Sequence, residues 1–198
     1  MICVVYALIV DNFLRSISEL GILLIQSSFY FLLTAIVILA VLQKKESLQT
    51  IGITKINLIK SCILGILLGI IFFVVYRSLL KTNNIIYIIS IASLISFIKY
   101  IIVGFSEEII FRGYFQTRLI AWLGTTKGCL ITAIIFSFYH LPVNLIFKGM
   151  DMQSAFLSCV NLIPLSLVLG YIMIKTKNII TVSILHTFID WSQSLHIA

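Results

Sequence analysis

The sequence predicts an all-α fold, a polytopic membrane helical bundle of about six to seven transmembrane helices. Three observations carry that reading. Only 11% of the 198 residues are charged, where a soluble domain carries about 25%. The hydrophobic share is 61% and the mean hydropathy +1.16, so too little polar sequence remains to cover a water-facing surface. The apolar residues also fall in long unbroken runs, such as CILGILLGIIFFVV at 62–75, rather than in the alternating pattern of a transmembrane barrel.

At about 20 residues per crossing, the chain has material for at most nine or ten spans, and its connections lower that to about six. The stretch 1–10 is apolar but short and runs into Asp11, Arg15 and Glu19. It reads as an interfacial helix or half of a further span. With no basic start and no small-residue cleavage site, it is not expected to be a signal peptide. Spans follow at about 21–42, 58–76, 85–105, 128–147, 154–174 and 178–195. Between the first two lies QKKESLQTIGITKIN at 43–57, a loop or surface-lying helix. The whole of 1–198 reads as a single integral-membrane domain, with its catalytic half at about 95–195. Cys3, Cys62, Cys129 and Cys159 stand singly in apolar segments and read as inert thiols.

The net charge of +7 needs no polynucleotide partner, because Lys and Arg gather in cytoplasmic loops and set orientation. If 43–57 is cytoplasmic, that side collects Lys44, Lys45, Lys55, Lys60, Lys99, Arg112, Arg118, Lys127, Lys175 and Lys177, of which Lys99 and Arg112 count for less because each could lie inside the membrane. Arg15, Arg77, Lys81 and Lys148 fall on the other. The expected setting is a cell membrane, most naturally a bacterial plasma membrane, with lipid as surroundings and no nucleic acid.

An ionisable group at bilayer depth costs a few kcal/mol, so each needs a partner or a job. Here they fall in three groups on separate predicted helices: EEIIFR at 107–112, FSFYH at 136–140 and HTFID at 186–190. Glu108 and Arg112 are one turn apart and can pair, while Glu107 is rotated about 100° away and is free to act as a base. A buried structural ion network would use the same three residues. His140 follows Phe136 by one turn and precedes Asn144 by another, although a histidine beside Pro142 can also satisfy a carbonyl freed at a kink. His186 and Asp190 repeat the one-turn spacing, so the carboxylate can orient the imidazole.

Two acids and two imidazoles on different spans suit a divalent metal such as zinc, held by Glu107, His140 and His186, or a water held directly between carboxylate and imidazole. Either would make a nucleophile without Ser or Cys, and a second imidazole could stabilise an oxyanion. This is equipment for hydrolysing an amide bond. It differs from the soluble H-E-x-x-H arrangement. For Glu107 to reach the depth of the histidines, its helix must run past Arg112 toward Leu119.

The set EExxxR, FxxxH and Hxxx(N/D), in this order on successive apolar helices, resembles the CPBP family of intramembrane metalloproteases. That family takes in CAAX proteases, bacteriocin-processing enzymes and abortive-infection proteins. The motifs here are Glu107, Glu108 and Arg112 continuing into FRGYF, then Phe136 and His140, then His186 and Asp190. The resemblance implies endoproteolysis of a peptide or protein substrate inside the membrane, with a divalent metal such as zinc as the expected cofactor. Glu107 and His140 would activate water, His186 and Asp190 would stabilise the oxyanion or complete the polar shell, and Glu108 with Arg112 would position the site. Many members have Asn where this chain has Asp190, and an ionised carboxylate cannot donate a hydrogen bond, which points Asp190 toward orienting His186 or binding metal. The compact N-terminal half suggests that a peripheral helix of larger relatives is missing. Bacteriocin processing or self-immunity is the expected context. The competing readings are a non-enzymatic membrane immunity or binding protein on the same scaffold and, last, an ion carrier.

Overall fold

The structure is a computed structural model and describes residues 19–80 and 90–195. The stretch 1–10 and the first residues of the span expected at 85–105 lie outside these. The described residues are helical: α1 (Glu19–Gln43), a 3-10 turn (Leu48–Ile51), α2 (Leu58–Leu79), α3 (Ile91–Glu108), a π-helical segment (Ile109–Gln116), α4 (Thr117–Leu123), α5 (Thr125–Tyr139), a second π segment (Val143–Phe147), α6 (Met152–Thr176) and α7 (Ile179–Ser194). The all-α polytopic membrane fold is as the sequence predicts. Among the described residues, four helices are long and apolar enough to cross a bilayer: Leu24–Gln43, Leu58–Leu79, Thr125–Phe147 and Met152–Thr176. α3 and α7, which carry Glu107, Glu108, His186 and Asp190, are not among them, because α3 includes three charged residues and α7 has only 16 residues.

One boundary moves in the direction that the depth of Glu107 requires. The span predicted to stop at 105 continues without a break through α3, the π segment and α4, a rod about 50 Å long at about 1.5 Å per residue. The cluster of charges at 107–112 had suggested an end. These side chains find partners inside the protein, so the helix has no reason to stop there.

α7 is the central helix. It packs against α2, α3 and α6, and Thr181, Val182, Ser183, His186, Thr187 and Ile189 are all buried. Lipid offers no hydrophobic drive for helices to associate, so close approach of small residues supplies the contact. On α2 these are Ser61, Gly65 and Gly69, one turn apart and all buried. Ser61 O accepts a hydrogen bond from Thr181 Oγ1 at 3.2 Å. A Cβ at Gly69 would lie 2.5 Å from the Phe188 ring and 3.0 Å from its Cβ. Gly69→Val is therefore expected to destabilise the chain by about 1–3 kcal/mol, read as a lower unfolding midpoint in detergent. An unchanged midpoint would show that the α2–α7 seam does not depend on this approach.

α3 meets α7 through Gly104, where a Cβ would sit 3.0 Å from Thr187 Oγ1. Trp191 Nε1 ties the far ends together by donating to Ser93 O at 3.2 Å. At the opposite end the 43–57 connection is fastened to the start of α7: Ile179 N donates to Gly52 O at 3.0 Å and Asn178 Nδ2 to Ile56 O at 3.0 Å. Beneath it, Leu169 and Met173 of α6 join Ile179, Val182, Leu185 and Ile189 of α7 in the apolar core. Lys44, Lys45, Lys55, Lys60, Arg118, Lys127, Lys175 and Lys177 all belong to this end, with Arg118 paired to Glu46. Lys99 and Arg112, which count for less from sequence because each could lie inside the membrane, stand within the rod 91–123.

Outward, α1 and α2 present Leu24, Phe31, Leu32, Ile59 and Ile71 to their surroundings, as helices facing lipid do. Asp151 stands clear of the spans and caps α6, accepting from Ser154 N at 3.0 Å and from Ser154 Oγ at 2.6 Å. These bonds favour its ionised form and hold its pKa below the usual carboxylate value.

Candidate active site

The three motif helices meet at the middle of the rod 91–123. Glu107 and Glu108 end α3, and the π-helical turns begin at the next residue. A π segment inserts extra backbone into the helix and re-aims the side chains around it. Glu108 is fully buried, and its Oε1 lies 3.2 Å from Arg112 Nη1, an ion pair whose hydrogen-bond alignment is poor. Arg112 is also fully buried. Its Nη2 donates to Ser166 Oγ of α6 at 3.0 Å, and its guanidinium lies 4.0 Å from the centre of the Phe136 ring. That ring also meets Phe111, His140 and His186 edge-on, so Phe136 is the apolar floor on which the cation and both imidazoles rest.

Glu108 has a second partner. His186 Nδ1 lies 2.7 Å from its Oε1, and because a carboxylate only accepts, Nδ1 carries the proton. Arg112, Glu108 and His186 thus form a relay of orientation from the bundle core to the imidazole. The other ring nitrogen, Nε2, lies 3.5 Å from Asp190 Oδ2 one turn further along α7.

His140 serves two purposes at once. At the end of α5 its backbone N–H bonds to Ser137 O rather than to Phe136 O. The carbonyl so freed is taken by the His140 ring, with Nδ1 at 2.9 Å. The kink-satisfying role foreseen for a histidine beside Pro142 is therefore filled by Nδ1. It also sets the tautomer: Nδ1 must donate, which leaves the Nε2 lone pair facing inward. Asn144 does not join the imidazole through its amide. Its Nδ2 points to Ser158 Oγ at 3.3 Å.

Glu107 is where the two histidines converge. Its Oε2 lies 3.9 Å from His140 Nε2 and 3.9 Å from His186 Nε2. Its Oε1 accepts from the Tyr30 hydroxyl of α1 at 2.9 Å. The structure thus brings all six residues singled out from sequence, Glu107, Glu108, Arg112, His140, His186 and Asp190, into one cluster. The cluster is deepest at Glu108, whose side chain is 0% exposed, and opens at His140 and Asp190, 25% and 24% exposed.

The proposed metal donors Glu107, His140 and His186 can be tested on this spacing. Tetrahedral zinc, with bonds of about 2.0–2.1 Å, holds its donors about 3.4 Å apart. Here both nitrogens stand 3.9 Å from the carboxylate oxygen. Among the described residues no three His, Cys, Asp or Glu side chains are placed to hold a metal ion. The set does not fit zinc as it stands. A water hydrogen-bonded at about 2.8 Å to both Glu107 Oε2 and one imidazole spans 3.9 Å at an angle of about 90°.

Tyr30 and Ser166 were not anticipated. Each is one of several hydroxyls in an apolar helix, among them Ser27 and Thr34 of α1 and Ser154 and Ser158 of α6, so only the fold distinguishes them.

A family model for the type II CAAX prenyl endopeptidase Rce1-like domain matches residues 89–192, which include all six residues of the cluster. The chain belongs to the Rce1-like CAAX prenyl endopeptidase family. No curated protein and no solved structure matches it. The Rce1-like family is one of hydrolases, and its activity is proteolysis within the membrane. The match begins at the threshold of α3 and ends in α7. α1, with its Tyr30, and α2, with its glycine seam, lie outside the matched residues.

Proposed function

We propose that this chain is an intramembrane endopeptidase in which Glu107 and His140 activate a water. The observation carrying this reading is the placement of one carboxylate oxygen, Glu107 Oε2, at the same 3.9 Å from two imidazole nitrogens. A water in that gap donates one proton toward Glu107 and the other to the His140 Nε2 lone pair, leaving its own lone pair for a substrate carbonyl carbon. As the C–O bond forms, Glu107 takes a proton from the water. The oxyanion is met by His186, protonated on both nitrogens between Glu108 and Asp190. Collapse breaks the C–N bond, and Glu107 returns its proton to the leaving amine. Glu108 and Arg112 do not touch substrate in this scheme; they hold His186 in place. No step passes through a metal.

A purely binding or immunity role gives no reason to maintain three carboxylates and two imidazoles in one cluster at bilayer depth, where each ionised group is costly. For substrate, an apolar groove of about 490 Å³ between α2, α3 and α7 is lined by Ile70, Leu94, Phe97, Phe188 and Trp191. It would take the apolar part of a membrane-embedded peptide, including a lipidated one. The basic end of the bundle would face the cytoplasm.

The test is cleavage of internally quenched peptides, with and without a C-terminal farnesyl group, by the full chain in proteoliposomes. His140→Ala and His186→Ala are each expected to lower kcat/KM by about a hundredfold or more. Because the donor spacing suits water rather than zinc, wild-type activity is expected to survive EDTA. Equal cleavage by wild type and both variants would defeat the reading, and loss of activity restored by added zinc would defeat its metal-free form.

A further inference from the structure

We propose that Tyr30 is a positioning residue for the general base, supplied by a helix outside the family-matched part of the chain. The inference rests on the reading of Glu107 as that base. A carboxylate has two equivalent oxygens and rotates about its last bond, so a base with both oxygens free presents either of them. Here the Tyr30 hydroxyl takes Oε1 at 2.9 Å, and Oε2 is left as the oxygen aimed at both imidazoles.

The other neighbours of Glu107 do not hold Oε1. Glu108 and Arg112, on the same rod, are engaged with each other and with His186 and Ser166. His140 of α5 and His186 of α7 stand at Oε2. Tyr139 of α5 adjoins both Tyr30 and Glu107 and helps to confine the hydroxyl. Tyr30 itself is braced by Phe29, whose ring lies edge-on at 6.0 Å. α1 otherwise touches the bundle mainly along α3, and its outward face is apolar. On the face that carries Tyr30, Gln26 and Thr34 lie one turn to either side with buried polar atoms, and Tyr30 is the residue of this stripe whose hydroxyl reaches a site carboxylate. It also shields Glu107, which is only 3% exposed, from the side that the opening at His140 and Asp190 does not use.

The experiment compares the full-length chain with Tyr30→Phe, which keeps the ring and its packing and removes only the oxygen. In proteoliposomes the variant is expected to show kcat about tenfold lower, with KM within twofold and an unfolding midpoint lowered only slightly by the lost hydrogen bond. A readout independent of turnover is the infrared difference spectrum between the two proteins. A shift in a carboxylate stretching band is expected, and the same comparison in a Glu107→Gln background should lose that shift. An unshifted band, or a shift that persists without the Glu107 carboxylate, would overturn the proposal, as would kcat within twofold of wild type. If wild type cleaved none of the peptides, the protease reading would fail, while the infrared arm would still decide whether Tyr30 holds Glu107.

Discussion

Glu107→Gln is expected to lower kcat by at least about a thousandfold while leaving the bundle folded. The change is isosteric, and the amide oxygen can still accept from Tyr30, whose hydroxyl now reaches Oε1 at 2.9 Å. What is lost is the capacity of the second oxygen to take a proton. General acid–base groups contribute about 10²–10⁴ in rate, and Glu107 acts twice in the proposed cycle, once on the water and once on the leaving amine. The loss belongs near the upper end of that range. It should appear in kcat with little change in KM, because Glu107 touches the water rather than the body of the substrate. Turnover of the quenched peptides, read beside the unfolding midpoint, checks this. A variant within tenfold of wild type would require another base.

Arg112→Leu is expected to give the largest loss of stability, about 3–5 kcal/mol, because it strands Glu108. Both side chains are 0% exposed, and Glu108 would keep only His186 as a partner, at 2.7 Å. Such a protein should accumulate poorly or unfold at a much lower midpoint in detergent. Arg112→Lys should recover little. The guanidinium lies over the Phe136 ring at 4.0 Å while donating to Ser166, and an ammonium cannot do both. The double change Arg112→Leu with Glu108→Leu removes both charges together, so it should recover much of the lost stability. It should remain inactive, since His186 would have no carboxylate at Nδ1. Full stability of Arg112→Leu alone would show that Glu108 is not held as an anion by this pair.

Membrane residence, helical class and the identity of the six polar residues were legible because lipid penalises every unexplained charge. In such a chain a Glu, Arg or His inside an apolar run is already a signal, and one-turn spacing suffices to pair Glu108 with Arg112 or His186 with Asp190. The helix end drawn at 105 rested on charges marking a stop, but the depth required of Glu107 already called for a helix running past Arg112, and the structure carries it through the π segment to Leu123. Phe136 could be placed one turn before His140 from the sequence, but its role as a platform under Arg112 depends on two helices meeting. Tyr30 was illegible: a single hydroxyl in α1 looks like its neighbours until the partner 77 residues away is in view.

Local arithmetic therefore determined the solvent, the helices and the pairs within each helix, since hydropathy and a 3.6-residue period act along the chain. Only the tertiary structure decided that Glu108 serves His186, that Tyr30 takes one oxygen of Glu107, and that the other oxygen faces two imidazoles from separate helices. The physical reason is that these contacts depend on how closely backbones approach, through Ser61, Gly65, Gly69 and Gly104. They depend equally on where the π segments rotate the side chains. Neither quantity is a property of any one helix.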